Sequence, residues 1–280
     1  MKAAVNTIVC GLLFAVWVPP VTGQSLRAVT ALPDTAPPHA NDLHQDHPAD
    51  LSHEVLLEEP FELAVGWESS VEFGANGSEG NSQVFNLRVG VDSERRTDDT
   101  ILTLDLDYKK DSTNSTETVN RLFFEGRHEW LFGDSPWSLY ILGTAEYDEF
   151  RAFDTRLATN AGVGYAFWDD EITTLIGRTG AGVSHEIGGP DDSYPAEASF
   201  GMEFSRKLFD RQKFSLSVDY YPEFRNFANS RIVSKADWEV LLDEAAHLSL
   251  KLGVIDRYDS TPGGAKHNDF DYLVVLLWKL

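Results

Sequence analysis

A few positions in this chain carry residue types that could do chemistry. His128 lies between Phe124 and Trp130 at a position whose parity groups it with apolar neighbours, an unusual setting for a histidine. With a serine on the same apolar wall it could hydrolyse lipid by nucleophilic attack. No serine has a sequence context that pairs it with His128, and such sites are defined by geometry. A ring seated at an interface beside Trp130 explains the same residue. Ser184-His185-Glu186 lines up three residue types of a hydrolase, but consecutive residues of an extended strand point to opposite faces, so they cannot act as a contiguous triad. Glu186 with Asp191 and Asp192 offers oxygens to Ca²⁺, which wants several of them. The full ligand spacing is missing, and a solvated turn explains these acids. His39, His44, His47 and His53 could supply imidazoles to Zn, Cu or Ni, yet show no regular spacing. The expectation is a non-enzymatic protein without catalytic residues, metal or cofactor; a lipid-modifying, phospholipase-like enzyme is the alternative.

The elements that would position such groups begin with an export signal. Lys2 supplies a charged start, the apolar run Thr7–Val18 is too short to span a bilayer, and Val21-Thr22-Gly23 offers a cleavage site. Residues 1–23 are therefore expected to be removed. Cys10, the sole cysteine, goes with them, which excludes disulfides and thiolate chemistry in the mature chain. Losing Lys2 leaves 22 basic against 45 acidic residues, a charge of −23. That balance opposes nucleic acid and other anionic partners, and suits cations or small solutes. Residues 24–60, rich in Pro, Ala, Asp and His, read as a flexible periplasmic leader with one short helix near Ser52–Glu59.

From Trp67 onward, apolar and polar residues alternate with a period of two. Leu102, Leu104, Leu106 and Tyr108 face one way against Thr103, Asp105 and Asp107; Leu248, Leu250, Leu252 and Val254 oppose Ser249, Lys251 and Gly253. Twelve such runs are expected, at 66–76, 83–95, 99–110, 117–132, 136–149, 152–168, 171–187, 195–209, 212–224, 230–242, 246–258 and 269–280. Tight turns at Gly133-Asp134-Ser135, Asp169-Asp170, Asp210-Arg211 and Asp243-Glu244-Ala245 alternate with longer links around 76–82, 111–116, 188–194, 225–229 and 259–268.

Trp67, Trp130, Trp137, Trp168, Trp238 and Trp278 then gather at one end of the meander. Tyr108, Tyr147, Phe150, Phe153, Tyr194, Tyr220, Tyr221, Phe224, Tyr258 and Phe270 gather at the other. Two aromatic rims separated by apolar strands suit a bilayer. The expected fold is all-β, an up-and-down antiparallel transmembrane barrel of about twelve strands over residues 61–280, with both termini in the periplasm. The rival is a soluble periplasmic β-protein with its apolar faces turned inward, as in a β-sandwich.

The polar faces would put Arg88, Asp105, Asp107, Arg121, Glu125, Arg127, Glu146, Arg156, Arg178, Glu203, Asp219 and Lys251 in the lumen, with Glu197, Arg231 and Asp237. Rings of one sign would select ions; mixed signs favour a network that fills and stiffens a narrow barrel. Inward Gly162, Gly164, Gly180, Gly182 and Gly201 leave one wall bare, either for solute or for bulky side chains opposite.

Residues 67–81, W-E-S-S-V-E-F-G-A-N-G-S-E-G-N, resemble the opening of domain-of-unknown-function family 481, the salt-induced outer-membrane proteins. The resemblance continues through Phe85-Asn86-Leu87-Arg88, Tyr147–Phe153 and Ala161-Gly162-Val163-Gly164-Tyr165, and covers most of 66–280. Each motif is a glycine or turn signal of modest specificity; their order along the chain carries the likeness. It implies an outer-membrane location and an association with salt or envelope stress; the expected partners of such a barrel are outer-membrane lipid and, during biogenesis, the barrel-assembly machinery. It implies no catalytic residues. Many such barrels end in Phe, whereas this chain ends in Leu280, a departure at the signal the machinery reads.

Overall fold

The computed structural model describes residues 66–80, 83–190 and 192–280. The expected signal, the leader with its helix and four histidines, and Asp191 lie outside the described residues.

The described residues form one closed antiparallel barrel. Its strands are β1 (Trp67–Ser78), β2 (Val84–Arg96), β3 (Thr100–Thr113), β4 (Thr116–Leu131), β5 (Trp137–Asp148), β6 (Thr155–Asp169), β7 (Thr173–Ile187), β8 (Ala196–Phe209), β9 (Gln212–Glu223), β10 (Asn226–Asp243), β11 (Leu248–Asp259) and β12 (Asn268–Lys279). Each pairs with its sequence neighbours, and β1 pairs with β12 to close the ring. The sandwich therefore does not form.

The two-residue period decides which face looks where. Across β2, β3 and β4, Val91, Leu106 and Phe124 lie opposite one another on the outer surface, while Asp92, Asp105 and Glu125 adjoin on the inner one. Thirty-odd large apolar side chains remain exposed on the outside, Leu106, Ile141, Phe200 and Val274 among them. All six tryptophans lie toward the end that holds Trp67 and Leu280. A bulge between Ala166 and Trp168 breaks the alternation there and leaves Phe167 and Trp168 exposed together.

Four details depart from the sequence expectation. The β3–β4 link is only Asn114–Ser115, both at positive φ (50° and 62°), as a twisted two-residue hairpin requires. The β9–β10 link is likewise two residues, Phe224 and Arg225. By contrast, 149–154 forms a six-residue loop where the expected runs left only Phe150 and Arg151 between them, because β6 starts only at Thr155. Two members of the second rim turn inward. Phe153 is 5% exposed and carries the Arg156 guanidinium over its ring at 4.4 Å. Tyr221 shares the inward parity of Asp219 and lies under Arg231.

The inner face is not purely polar. Ile255, Leu273 and Val275 form a buried cluster inside the wall, with Leu277 also buried, so β12 is apolar on both faces.

Candidate functional site

The lumen is the only enclosed region where many chemically active groups of the described residues converge, and alternation is what brings them there. All twelve predicted lumen charges lie on the inward face. In the half nearer the termini, Arg127 and Arg178 share two carboxylates. Arg178 reaches Glu129 at 2.7 Å and Glu203 at 2.9 Å, and Arg127 reaches the same pair at 2.9 and 3.5 Å. Across the lumen Lys251 pairs with Glu72 and stands 3.9 Å from Asp237, while Lys279 meets Glu239 at 2.6 Å.

The half nearer the long loops is tied across its width. Arg156 of β6 reaches Glu186 of β7 at 2.5 Å, Asp259 of β11 at 3.0 Å and Glu146 of β5 at 3.7 Å. Asp271 of β12 accepts from Arg121 of β4 at 2.6 Å, Lys109 of β3 at 2.7 Å and Arg257 of β11 at 2.9 Å. Arg231 holds Glu197 at 2.7 Å, and Arg88 holds Asp107 at 2.5 Å. Arg151, from loop 149–154, is buried against Asp148 and Asp269 and brings that loop over the lumen end. Ions taken from water into such a space recover their desolvation only through pairs of this quality.

Between these layers a cavity of about 300 Å³ remains, lined among others by Asp105, Glu125, Asp219 and Lys235. A second, of about 580 Å³, opens toward the termini around Asp92, Glu239 and Lys279. Both share Thr103, Lys213, Ser215 and Asp237 as lining. Among the described residues, Asp105 and Asp219, which line the first cavity, have no ion-pair partner within 4 Å.

The inward glycines serve close approach: at Gly162, Gly180 and Gly182 the nearest atom to an added Cβ would be a carbonyl oxygen of the facing strand, and Tyr140 is a bulky side chain opposite only Gly180. A Cβ at Gly180 would lie 2.7 Å from the Tyr140 hydroxyl, and one at Gly164 would lie 2.4 Å from Ser138 Oγ. At Gly162 it would meet the Thr179 carbonyl oxygen at 2.1 Å, so β6 and β7 approach too closely for any side chain there.

The other candidate groups do not converge. His128 packs edge-on against Trp130, centroids 4.5 Å apart, on the outer surface. Ser184 is buried, Glu186 is held by Arg156, and His185 stacks on Tyr194 at 4.1 Å with Nδ1 3.1 Å from the Ser193 carbonyl. Among the described residues no group of three His, Cys, Asp or Glu is placed to hold a metal. Glu129, Asp271 and Arg257 are central lumen residues not singled out from the sequence. Glu129 shares the parity of Arg127, and Arg257 that of Lys251, so continuing those runs to the strand ends finds them.

Residues 71–279 match the model of a family described as a protein of unknown function, DUF481. The chain belongs to the DUF481 family. No curated protein matches it. Among solved structures, this DUF481 chain is similar to the NanC porin, with 11% identity, 76% of this chain and 100% of that one covered, and a TM-score of 0.47. It is also similar to the translocator domain of the autotransporter NalP from Neisseria meningitidis, with 10% identity, coverage of 79% and 90%, and a TM-score of 0.41. The β-domain of the Bordetella autotransporter BrkA gives 10% identity, coverage of 76% and 98%, and a TM-score of 0.36. At these levels the likeness assigns this DUF481 protein no cargo and no conductance.

Proposed function

We propose that this protein is a non-enzymatic barrel of the bacterial outer membrane whose lumen is braced shut, not held open as a wide pore. The observation that carries this reading is the set of ion pairs that cross the lumen, Arg156 to Asp259 and Arg121 to Asp271 above all. The outer surface supports the location: apolar side chains cover its middle, and tryptophans ring one end. Both are what lipid and its headgroup boundary favour. Migration of the membrane-fraction protein on a gel should shift on boiling, as a folded barrel's does, and a soluble, unshifted species would remove the location.

The bracing also gives the salt-stress association a physical form. Glu203 and Glu186 keep part of their surface open to lumen water, so dissolved ions screen their pairs more than fully buried ones. In planar bilayers the purified protein should conduct little at low ionic strength, and conductance should rise faster than bulk conductivity as salt is added. A large, ohmic conductance would contradict the braced lumen. Asp105 and Asp219, which lack contact ion pairs, favour cations for whatever current flows, and asymmetric-salt reversal potentials read that preference. Lipase activity lost in His128→Ala would instead establish an enzyme.

A further inference from the structure

The outer end of the lumen is covered by chain as well as crossed by ion pairs. Loop 149–154 joins β5 to β6, and loop 260–267 joins β11 to β12 on the opposite side of the ring. The two meet over the opening: a Cβ at Gly263 would lie 2.7 Å from the Ala152 Cβ. Arg151 crosses with them to pair with Asp269 at the start of β12. Its side chain is 8% exposed and also lines the first cavity, so it forms part of that cavity's outer wall.

The two loops are held in different ways. At the β11–β12 side, the Ser260 amide donates to the Ser230 carbonyl at 3.0 Å and the Asp259 amide to His267 at 2.8 Å. The Thr261 amide adds a bond to the Asp259 carboxylate at 2.8 Å. In loop 149–154 the amides of Glu149, Arg151 and Asp154 donate to Asn120, Asp148 and Ile187. Between them, the Ala152 and Phe153 backbones make no hydrogen bond among the described residues. Side chains alone fix this tip: Arg151 on Asp148 and Asp269, and Phe153 beneath the Arg156 guanidinium at 4.4 Å. Segments with so few backbone bonds open at the lowest cost.

The Arg151 contact is also the cross-lumen pair least able to resist release. Arg151 Nη1 is buried without a hydrogen-bond partner, which offsets part of what the closed position gains. Its partner Asp269 is 39% exposed, so dissolved ions screen the pair. Arg156, by contrast, is shared among Glu146, Glu186 and Asp259.

We propose that loop 149–154 is a hinged lid over the outer mouth, latched by Arg151 on Asp269, whose release opens the lumen. This rests on the braced-lumen reading above and names the part of the brace that yields first. As the tip lifts, the Arg156 guanidinium loses the Phe153 ring beneath it, so the Arg156–Asp259 tie loosens with the lid.

The test uses the full chain carrying Cys10→Ser, Arg151→Cys and Asp269→Cys, in planar bilayers at low ionic strength. Removing the latch should raise conductance about tenfold over the Cys10→Ser parent, some 1.4 kcal/mol of closure lost. Bridging the two thiols with a short bifunctional thiosulfonate should return it to the parental level, and reductant should raise it again. Bridged and reduced forms are one folded protein, so misfolding cannot mimic a reversible difference. Lys110→Cys with Glu117→Cys, from an exposed pair on β3 and β4, is the control whose bridging should change nothing. Phe153→Ala, which frees the tip and leaves the latch in place, should also raise conductance. Equal conductance with the bridge on and off overturns the lid and leaves the braced lumen standing. A large, ohmic conductance in the Cys10→Ser parent instead removes the braced lumen, and the lid with it.

Discussion

Leu104 and Asp105 are neighbours in sequence on opposite sides of one wall. Leu104 adjoins Ser93 and Gly126 on the outer surface, and Asp105 adjoins Asp92 and Glu125 within. Leu104→Arg should cost about 2–4 kcal/mol if the residue lies near the bilayer midplane, whereas Asp105→Asn should cost far less; denaturant titrations of the folded barrel compare the two. Glu197 makes a second residue-scale case, being 1% exposed and held by Arg231 at 2.7 Å. Arg231→Met strands that carboxylate and should cost about 3–5 kcal/mol, much of it recovered by adding Glu197→Gln. Parity alone locates Arg88, Asp105 and Lys251 inside. It fails at Phe153, because a loop residue has no strand parity, and at Tyr221, whose ring type suggested a rim although its position next to Tyr220 required the opposite face.

Strand elements obey close-approach rules as strict as those of single side chains. Gly162 lets β6 and β7 meet where a Cβ would strike the Thr179 carbonyl oxygen and, at 2.6 Å, the Gly180 Cα. Backbone cannot yield as a side chain does, so Gly162→Ala should destabilise by about 3 kcal/mol or more. Gly143→Ala, with open space around the new methyl, should stay within about 0.5 kcal/mol; thermal melts of the two variants distinguish them. In the turn after β6, the Asp170 carboxylate accepts from the Ile172 and Thr173 amides at 2.8 and 2.7 Å. These bonds, Ile172's first, hold its carboxyl below the usual carboxylate range. A lowered folded value stabilises the turn above about pH 4, and that contribution disappears as acid takes the pH down through the folded value. Amide exchange at Thr173 should therefore quicken in acid in the natural protein and not in Asp170→Asn. The twelve strands are legible because each run alternates. The lengths of the links are not, since Asn114 and Ser115 reach positive φ without a glycine to announce it. The bulge at Ala166–Trp168 is equally silent, being one extra residue inside an apolar run.

At the scale of the whole molecule, closure is the least local property and the least readable one. Nothing in Trp67–Ser78 or Asn268–Lys279 states that their ladder stops after four pairs, because register between chain ends is set by the tilt and stagger of all the strands between. Charge balance behaves differently: mixed signs on the inward faces already point to pairing, and only the partners, such as Arg156 with Asp259 across the lumen, require the closed ring. The central claim is directional, with lipid against the apolar faces and water against the charged ones. Spin labels placed one at a time from Leu102 to Asp107, in protein reconstituted into bilayers, measure it by power saturation against oxygen and a nickel chelate. Oxygen should dominate at positions 102, 104 and 106 and the chelate at 103, 105 and 107. Chelate access at the leucines, or an even profile along the strand, would contradict it.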